Sequence, residues 1–234
     1  MYIIHQTDKI VAIATKSKGN RKTGKSVQVW ILDSTMHPVE SRKSGHDAKN
    51  QCAGCVFASG SGCYVYNNPL ISIFNAWKRG SYKPLAMGSE QWEEFFATDF
   101  VRFGAYGNPS LLPLPMVEDI AKRARKITGY FHDWHMMKED DAKSYGRFFM
   151  ASCEASNFKK AQALGLRTFS VVPSPMPEAG IECLADAKGI TCKECGLCDG
   201  NRRTILRNKP LPHIFITAHG YQKQKAIASS EGSN

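Results

Sequence analysis

The chain lacks any apolar run long enough to cross a membrane, and no apolar core follows the opening residues MYIIHQTD. The first absence excludes a membrane span, and the second predicts that the chain is not exported and works in the cytoplasm. Its thiols should therefore stay reduced, which sets disulfides aside as the reading of its cysteines. Acid is also short: 21 Asp and Glu stand against 31 Lys and Arg, a net charge of +10. That imbalance favours a polyanionic partner, nucleic acid first, because each phosphate neutralised by a cation releases a condensed counterion. A generally basic soluble protein fits the same charge. The basic residues gather at 16–25, 42–49, 122–126 and 202–209. Spread in this way, they describe a surface and not a tail.

What the chain does have is clustered cysteine. Six of its eight cysteines form Cys52-x2-Cys55-x7-Cys63 and Cys192-x2-Cys195-x2-Cys198, with Cys183 ahead of the second cluster and His219 beyond it. A Cys-x2-Cys turn delivers two sulfurs from one short loop, as a tetrahedral Zn²⁺ requires, and His219 or Cys183 could complete the shell at the second cluster. Three clustered thiolates at Cys52, Cys55 and Cys63 equally suit a [4Fe-4S] cluster.

The first third reads as strands, at 2–5, 9–14 and 27–32, separated by polar turns. Between the last two, Gly19 to Ser26 spells G-x-x-x-x-G-K-S. A phosphate-cradling loop of that spelling runs into a helix, whose first N–H groups face the anion. Here it runs into Val27-Gln28-Val29-Trp30-Ile31-Leu32, an alternating strand pattern. A basic hairpin turn is the expectation, with Lys22 and Lys25 as candidate contacts to a phosphate backbone.

Farther on, helical patterns at 69–79 and 89–97 precede a regular alternation. Strands are expected at 100–106, 127–134, 147–153 and 166–172, with helices at 115–126, 139–145 and 156–164. Strands separated by helices of this length build βαβ units, so the expected fold is α/β: a compact or incomplete (β/α)8 TIM-like barrel with a C-terminal Cys-rich metal module. An open α/β sheet is the alternative. The chain reads as a single domain, with N-terminal strands and the first Cys loop in 1–68, a βα core in 69–175, and the metal module with the last strand in 176–234.

Enzymes of either architecture carry their chemistry on loops after the carboxyl ends of strands. Glu154 and Asp133 are the carboxylates so placed, while Asp99 precedes its strand and ranks third. The competing reading of Glu154 is a helix-start charge complementing the macrodipole, and that of Asp133 is a solvated loop acid. Lys22, Lys25, Arg102, Arg202 and Arg203 are the candidate nucleic-acid contacts. Tyr106, Tyr130 and Trp134 are candidate stacking partners for a flipped base, with core packing as the competing reading.

Several stretches carry a resemblance: 19–32, Cys52 to Cys55 with Cys63-Tyr64-Val65, Arg102 to Pro109, Thr128-Gly129-Tyr130, Met150-Ala151-Ser152, Arg167-Thr168-Phe169, and Cys192 to Gly200 with Ala218-His219-Gly220. Over nearly its whole length the chain resembles a family of small tailed-phage proteins, itself similar to the phage branch of DNA 7-deazaguanine transglycosylases (DpdA type), distant relatives of tRNA-guanine transglycosylases. The resemblance implies a TIM-like barrel in the host cell cytoplasm and a late zinc site of three cysteines and one histidine, onto which Cys192, Cys195, Cys198 and His219 map. Two departures stand out. The tRNA enzymes resemble C-x-C-x2-C where this chain has C-x2-C-x2-C, so Cys183 is a candidate replacement ligand; and phage relatives resemble Gly-Asp-Pro where this chain has Gly107-Asn108-Pro109.

The implied reaction replaces guanine in DNA by a 7-deazaguanine base such as preQ0 through a covalent sugar intermediate, which needs one carboxyl group as nucleophile and another to handle the ring-nitrogen proton. Glu154 and Asp133 are the pair expected to serve. Two other classes remain open: a non-enzymatic, zinc-stapled nucleic-acid-binding phage protein, and an iron-sulfur enzyme of the radical type. The compact C-x3-C-x2-C spacing usual for radical enzymes is absent.

Overall fold

The computed structural model describes residues 1–19 and 22–231; Asn20 and Arg21 of the Gly19–Ser26 stretch, and 232–234, lie outside them. Two β-branched segments, β1 (Tyr2–Gln6) and β2 (Ile10–Ser17), pair antiparallel, and β2 pairs antiparallel with β3 (Ser26–Asp33) from Ile10 opposite Asp33 to Ser17 opposite Ser26. The turn from Gly24 thus leads into a strand and not a helix, as the alternation of 27–32 requires. Helices α1 (Pro38–Lys43) and α2 (Asn67–Lys78), a short strand β4 (Lys83–Pro84) and helix α3 (Glu90–Phe96) follow. The chain then re-enters the sheet as β5 (Phe100–Tyr106), parallel to β3.

From β5 onward the chain alternates: α4 (Leu114–Arg123), β6 (Lys126–Thr128), β7 (Tyr130–Phe131), α5 (Glu139–Gly146), β8 (Met150–Glu154), α6 (Phe158–Ala163) and β9 (Thr168–Val172). The C-terminal part adds β10 (Ile181–Glu182), α7 (Leu184–Ala187), α8 (Cys192–Cys195), α9 (Arg202–Arg207), β11 (Ile214–Thr217) and α10 (Lys223–Glu231). The fold is α/β, with a mixed sheet ordered β4-β1-β2-β3-β5-β6 and a parallel sheet ordered β10-β11-β9-β8-β7. Side chains alternate between two covered faces. Phe131, Ala151 and Phe215 join the main core with α3, α4 and α6, while their neighbours Tyr130, Met150, Ile214 and Ile216 face Cys183 and Leu197 on the other side. Burial on both faces is why β3 carries apolar residues with so little interruption.

Two expected strands are shorter than their patterns. The 127–134 segment divides at Gly129 and stops at Phe131. A Cβ at Gly129 would lie 2.6 Å from Cδ1 of Phe149. That ring belongs to the 147–153 segment, whose first residues are a helical turn, since Phe148 N and Phe149 N both donate to Tyr145 O at 2.9 and 3.0 Å.

Candidate functional site

The carboxyl ends of β3, β5, β7 and β8 meet the first cysteine loop, and buried polar side chains hold the junction together. At the end of β3, Asp33 accepts from Thr35 N at 2.7 Å, Met36 N at 2.9 Å, Asn50 Nδ2 at 2.8 Å and His46 Nε2 at 2.9 Å. Burial would raise its pKa, but the hydrogen bonds from Thr35, Asn50 and Met36 outweigh it and hold the carboxyl below the usual range. Asp33 therefore pins the segment that leads into the cysteines.

Asn108, fully buried after β5, is the second clamp. Its N–H donates to Gln51 O at 2.7 Å, its Nδ2 donates to Ala53 O at 3.4 Å, and its Oδ1 accepts from His132 N at 3.4 Å. Between those contacts Gly54, at φ +78°, comes so close that a Cβ would stand 2.7 Å from Asp133 Cα and 2.8 Å from His132 O. Only glycine allows a Cys-x2-Cys turn to lie this tightly on the strand end.

Within this loop the thiol pKa values of Cys52, Cys55 and Cys63 are all raised by burial first. Cys55 and Cys63 raise that of Cys52, and Cys63 and Glu154 that of Cys55. Asp47 ties the loop to itself, accepting from Ser59 Oγ at 2.6 Å and Ser59 N at 3.1 Å.

Glu154 ends β8 only 3% exposed, and burial pushes its pKa up to about 7 against the hydrogen bond from Asn157 Nδ2. Helix α6 begins four residues later, at Phe158, so Glu154 is not a helix-start charge. Both Asp133 oxygens lie within reach of the Ser110 hydroxyl, at 2.8 and 2.9 Å. Burial also brings the pKa of His132, beside Asp133, down to about 4, which keeps its imidazole neutral.

The second cluster lies on the face opposite the main core. Cys183, Cys192, Cys195 and Cys198 line one cavity of about 20 Å³ together with Thr128, Tyr130 and Ile214. That is room for a single water or ion. Among the described residues no group of three or more His, Cys, Asp or Glu side chains already stands as a metal shell. The donor set nevertheless suits Zn²⁺: four thiols, three of them from one turn, around an ion-sized space. His219 does not line this cavity. Its Nε2 lies 3.2 Å from Lys22 Nζ and 4.0 Å from Asp186 Oδ1, while Cys183 lines the cavity beside Cys192, Cys195 and Cys198.

Other expected residues stand elsewhere. Asp99 is exposed at the amino end of β5, paired with Lys193 Nζ at 2.8 Å, and so does not join Glu154. Tyr106 and Trp134 are 2% and 1% exposed, which withholds both from a flipped base. The Trp134 Nε1 donates to Ser152 O at 2.9 Å. The Tyr106 hydroxyl donates to Asp47 Oδ2 at 3.4 Å, and Tyr130 lines the cavity of the second cluster with its ring centroid 4.6 Å from that of Phe169. Arg202 Nη2 donates to Ala121 O at 2.8 Å at the end of α4, and Arg203 Nε pairs with Asp199 at 2.7 Å. Both are spent on internal structure. Arg102 Nη2 meets Tyr64 Oη at 3.2 Å.

The chain matches no protein-family model, no curated protein and no solved structure. No helix among the described residues is long and apolar enough to cross a membrane.

Proposed function

We propose that the protein is a DNA-modifying enzyme of the base-exchange class, working at the carboxyl ends of an incomplete barrel whose parallel strands run β3, β5, β6 with β7, β8, β9 and β11. One observation carries the reading: Glu154 is a buried carboxyl group poised to exchange protons near neutral pH, at a strand end next to the one bearing Asp133. In this reading an Asp133 oxygen bonds to C1′ of a deoxyguanosine as the bond from C1′ to the base nitrogen breaks, and the Glu154 carboxyl gives its proton to the leaving guanine. The incoming 7-deazaguanine returns a ring-nitrogen proton to Glu154 while that nitrogen displaces Asp133 from C1′. The Ser110 hydroxyl orients the Asp133 carboxylate for attack. Cys183, Cys192, Cys195 and Cys198 would hold Zn²⁺, which supplies folding free energy and takes no part in the exchange.

The test is nucleoside analysis of DNA incubated with preQ0 and the zinc-loaded protein. A deazaguanine nucleoside formed by the wild type and lost in Glu154→Gln supports the reading; no incorporation by protein that binds both zinc and DNA overturns it.

One feature favours a second reading. The Cys52, Cys55 and Cys63 loop is clamped onto the same face, with Cys55 electrostatically coupled to Glu154. Three thiolates there would suit a [4Fe-4S] cluster, which would bring one-electron chemistry to that face. Protein purified without oxygen that is brown and carries iron and sulfide decides for this reading, and colourless protein with zinc alone decides against it.

A further inference from the structure

We propose that a groove at the amino ends of β3 and β5, at the opposite end of the strands from Glu154, binds the phosphodiester backbone of nucleic acid. The inference deepens the nucleic-acid reading above and rests on it. The groove encloses about 230 Å³ between Lys16 and Ser17 at the end of β2, Lys25 and Ser26 at the start of β3, Thr98 and Asp99 before β5, and Lys193 of α8. Three ammonium groups face one carboxylate here. That carboxylate, Asp99, is held by Lys193 Nζ at 2.8 Å, so an entering anion meets a neutralised pair and two further lysines.

A second, independent observation points to a ligand. Ser26 is only 7% exposed, yet its Oγ has no hydrogen-bond partner among the described residues. A buried hydroxyl without a partner is costly, and a turn of the Ser26 side chain toward the groove it lines would give it a phosphate oxygen as acceptor. Nor is the rim loose. Cys192 N and Lys193 N donate to Lys22 O and Thr23 O at 2.9 and 3.2 Å, fixing α8 against the turn, and Lys16 Nζ sits over the Phe95 ring at 5.1 Å from its centroid. Because Gly24-Lys25-Ser26 enters a strand, this turn brings no helix N-terminus of its own to the groove. Recognition then comes from point charges and a hydroxyl, which suits a backbone phosphate better than a chelated nucleoside triphosphate.

Fluorescence anisotropy of the full, zinc-loaded chain with a labelled oligodeoxynucleotide tests this across a salt series. Lys16→Glu combined with Lys25→Glu should weaken binding about tenfold at low salt and flatten the log-log salt slope by about two. Ser26→Ala should weaken it about threefold and leave the slope unchanged, because a neutral hydroxyl releases no counterion. Binding equal to wild type in all the variants overturns the groove and leaves the nucleic-acid reading standing, whereas a wild type that binds no DNA overturns both. Inorganic phosphate that competes as well as the oligonucleotide, at equal phosphate concentration, marks a small-anion site and overturns the proposal. Loss of binding in the groove variants, with binding retained in Glu154→Gln, supports it.

Discussion

The two cysteine clusters begin alike and end in different places. Each opens on a Cys-x2-Cys turn and each lies beside a tyrosine, Tyr106 at the first and Tyr130 at the second. The second brings four thiols around an ion-sized cavity against Thr128 and Ile214, away from any proton-handling group. Three thiols make up the first, laid over the strand carboxyl ends beside Glu154 and Asp133 by Asn108 and Gly54. A four-thiol set can be satisfied by the protein alone, as a staple should be. A three-thiol set on the face proposed for the exchange would leave a position for something else.

Breaking the staple should have the largest effect. Cys183→Ser or Cys195→Ser should each release one zinc and unfold the C-terminal part, since structural zinc contributes about 10–16 kcal/mol of apparent binding free energy in small domains. His219→Ala should keep the zinc and nearly all of the stability. Elemental analysis with thermal melting reads both, and zinc lost from His219→Ala would reverse the assignment of ligands.

On the chemical face, Glu154→Gln should lower base exchange by about 10²- to 10⁴-fold while zinc content and DNA binding stay at wild-type levels. Labelled preQ0 incorporation measures it, and normal exchange in the variant would move the proton-handling role away from Glu154.

The same residue makes a pH prediction. With its pKa in the folded state raised from 4.5 to about 7, protonated Glu154 favours the fold below about pH 4.5, and that contribution disappears as pH rises through 7. The shift corresponds to about 3 kcal/mol. In protein prepared without iron, Glu154→Gln should therefore flatten the stability curve between those limits and be the more stable form above pH 7. Denaturant titrations at a series of pH values give the answer, and parallel curves for the two proteins would rule it out.

Smaller still should be the clamp. Asn108→Asp replaces the donor to Ala53 O by an acceptor in a fully buried position, so it should cost about 1–3 kcal/mol. It should also loosen the first loop while leaving zinc at the second. Hydrogen exchange across residues 47–63 measures the loosening.

Alternation and turn chemistry made most elements legible in the sequence, down to the bounds of β5, because strands covered on both faces are rich in β-branched and aromatic residues. Contacts distant in sequence were not legible. The break at Gly129 depends on a ring twenty residues away, and β4 and β10 are two-residue pairings with no local pattern. The placing of Glu154 and Asp133 at strand ends was legible because strand ends can be counted. Asn108 and Asp33 were missed because nothing in the sequence says that they bridge to the cysteine loop. Cys183 was named as a substitute ligand, but choosing it over His219 required the cavity. For Tyr106 and Trp134 the competing core-packing reading holds, because an aromatic at a strand end does not announce whether its ring is covered.

The bonds from Cys192 and Lys193 to Lys22 and Thr23 join residues made far apart in time. A chain emerging at about 5–20 residues per second presents the turn between β2 and β3 roughly 10–30 s before the segment that secures it. Until then that turn lacks the bonds from α8. A late-made segment thus finishes an early one, and a chain truncated before Cys192 would keep the β2–β3 pairing but lose the fixed rim of the groove.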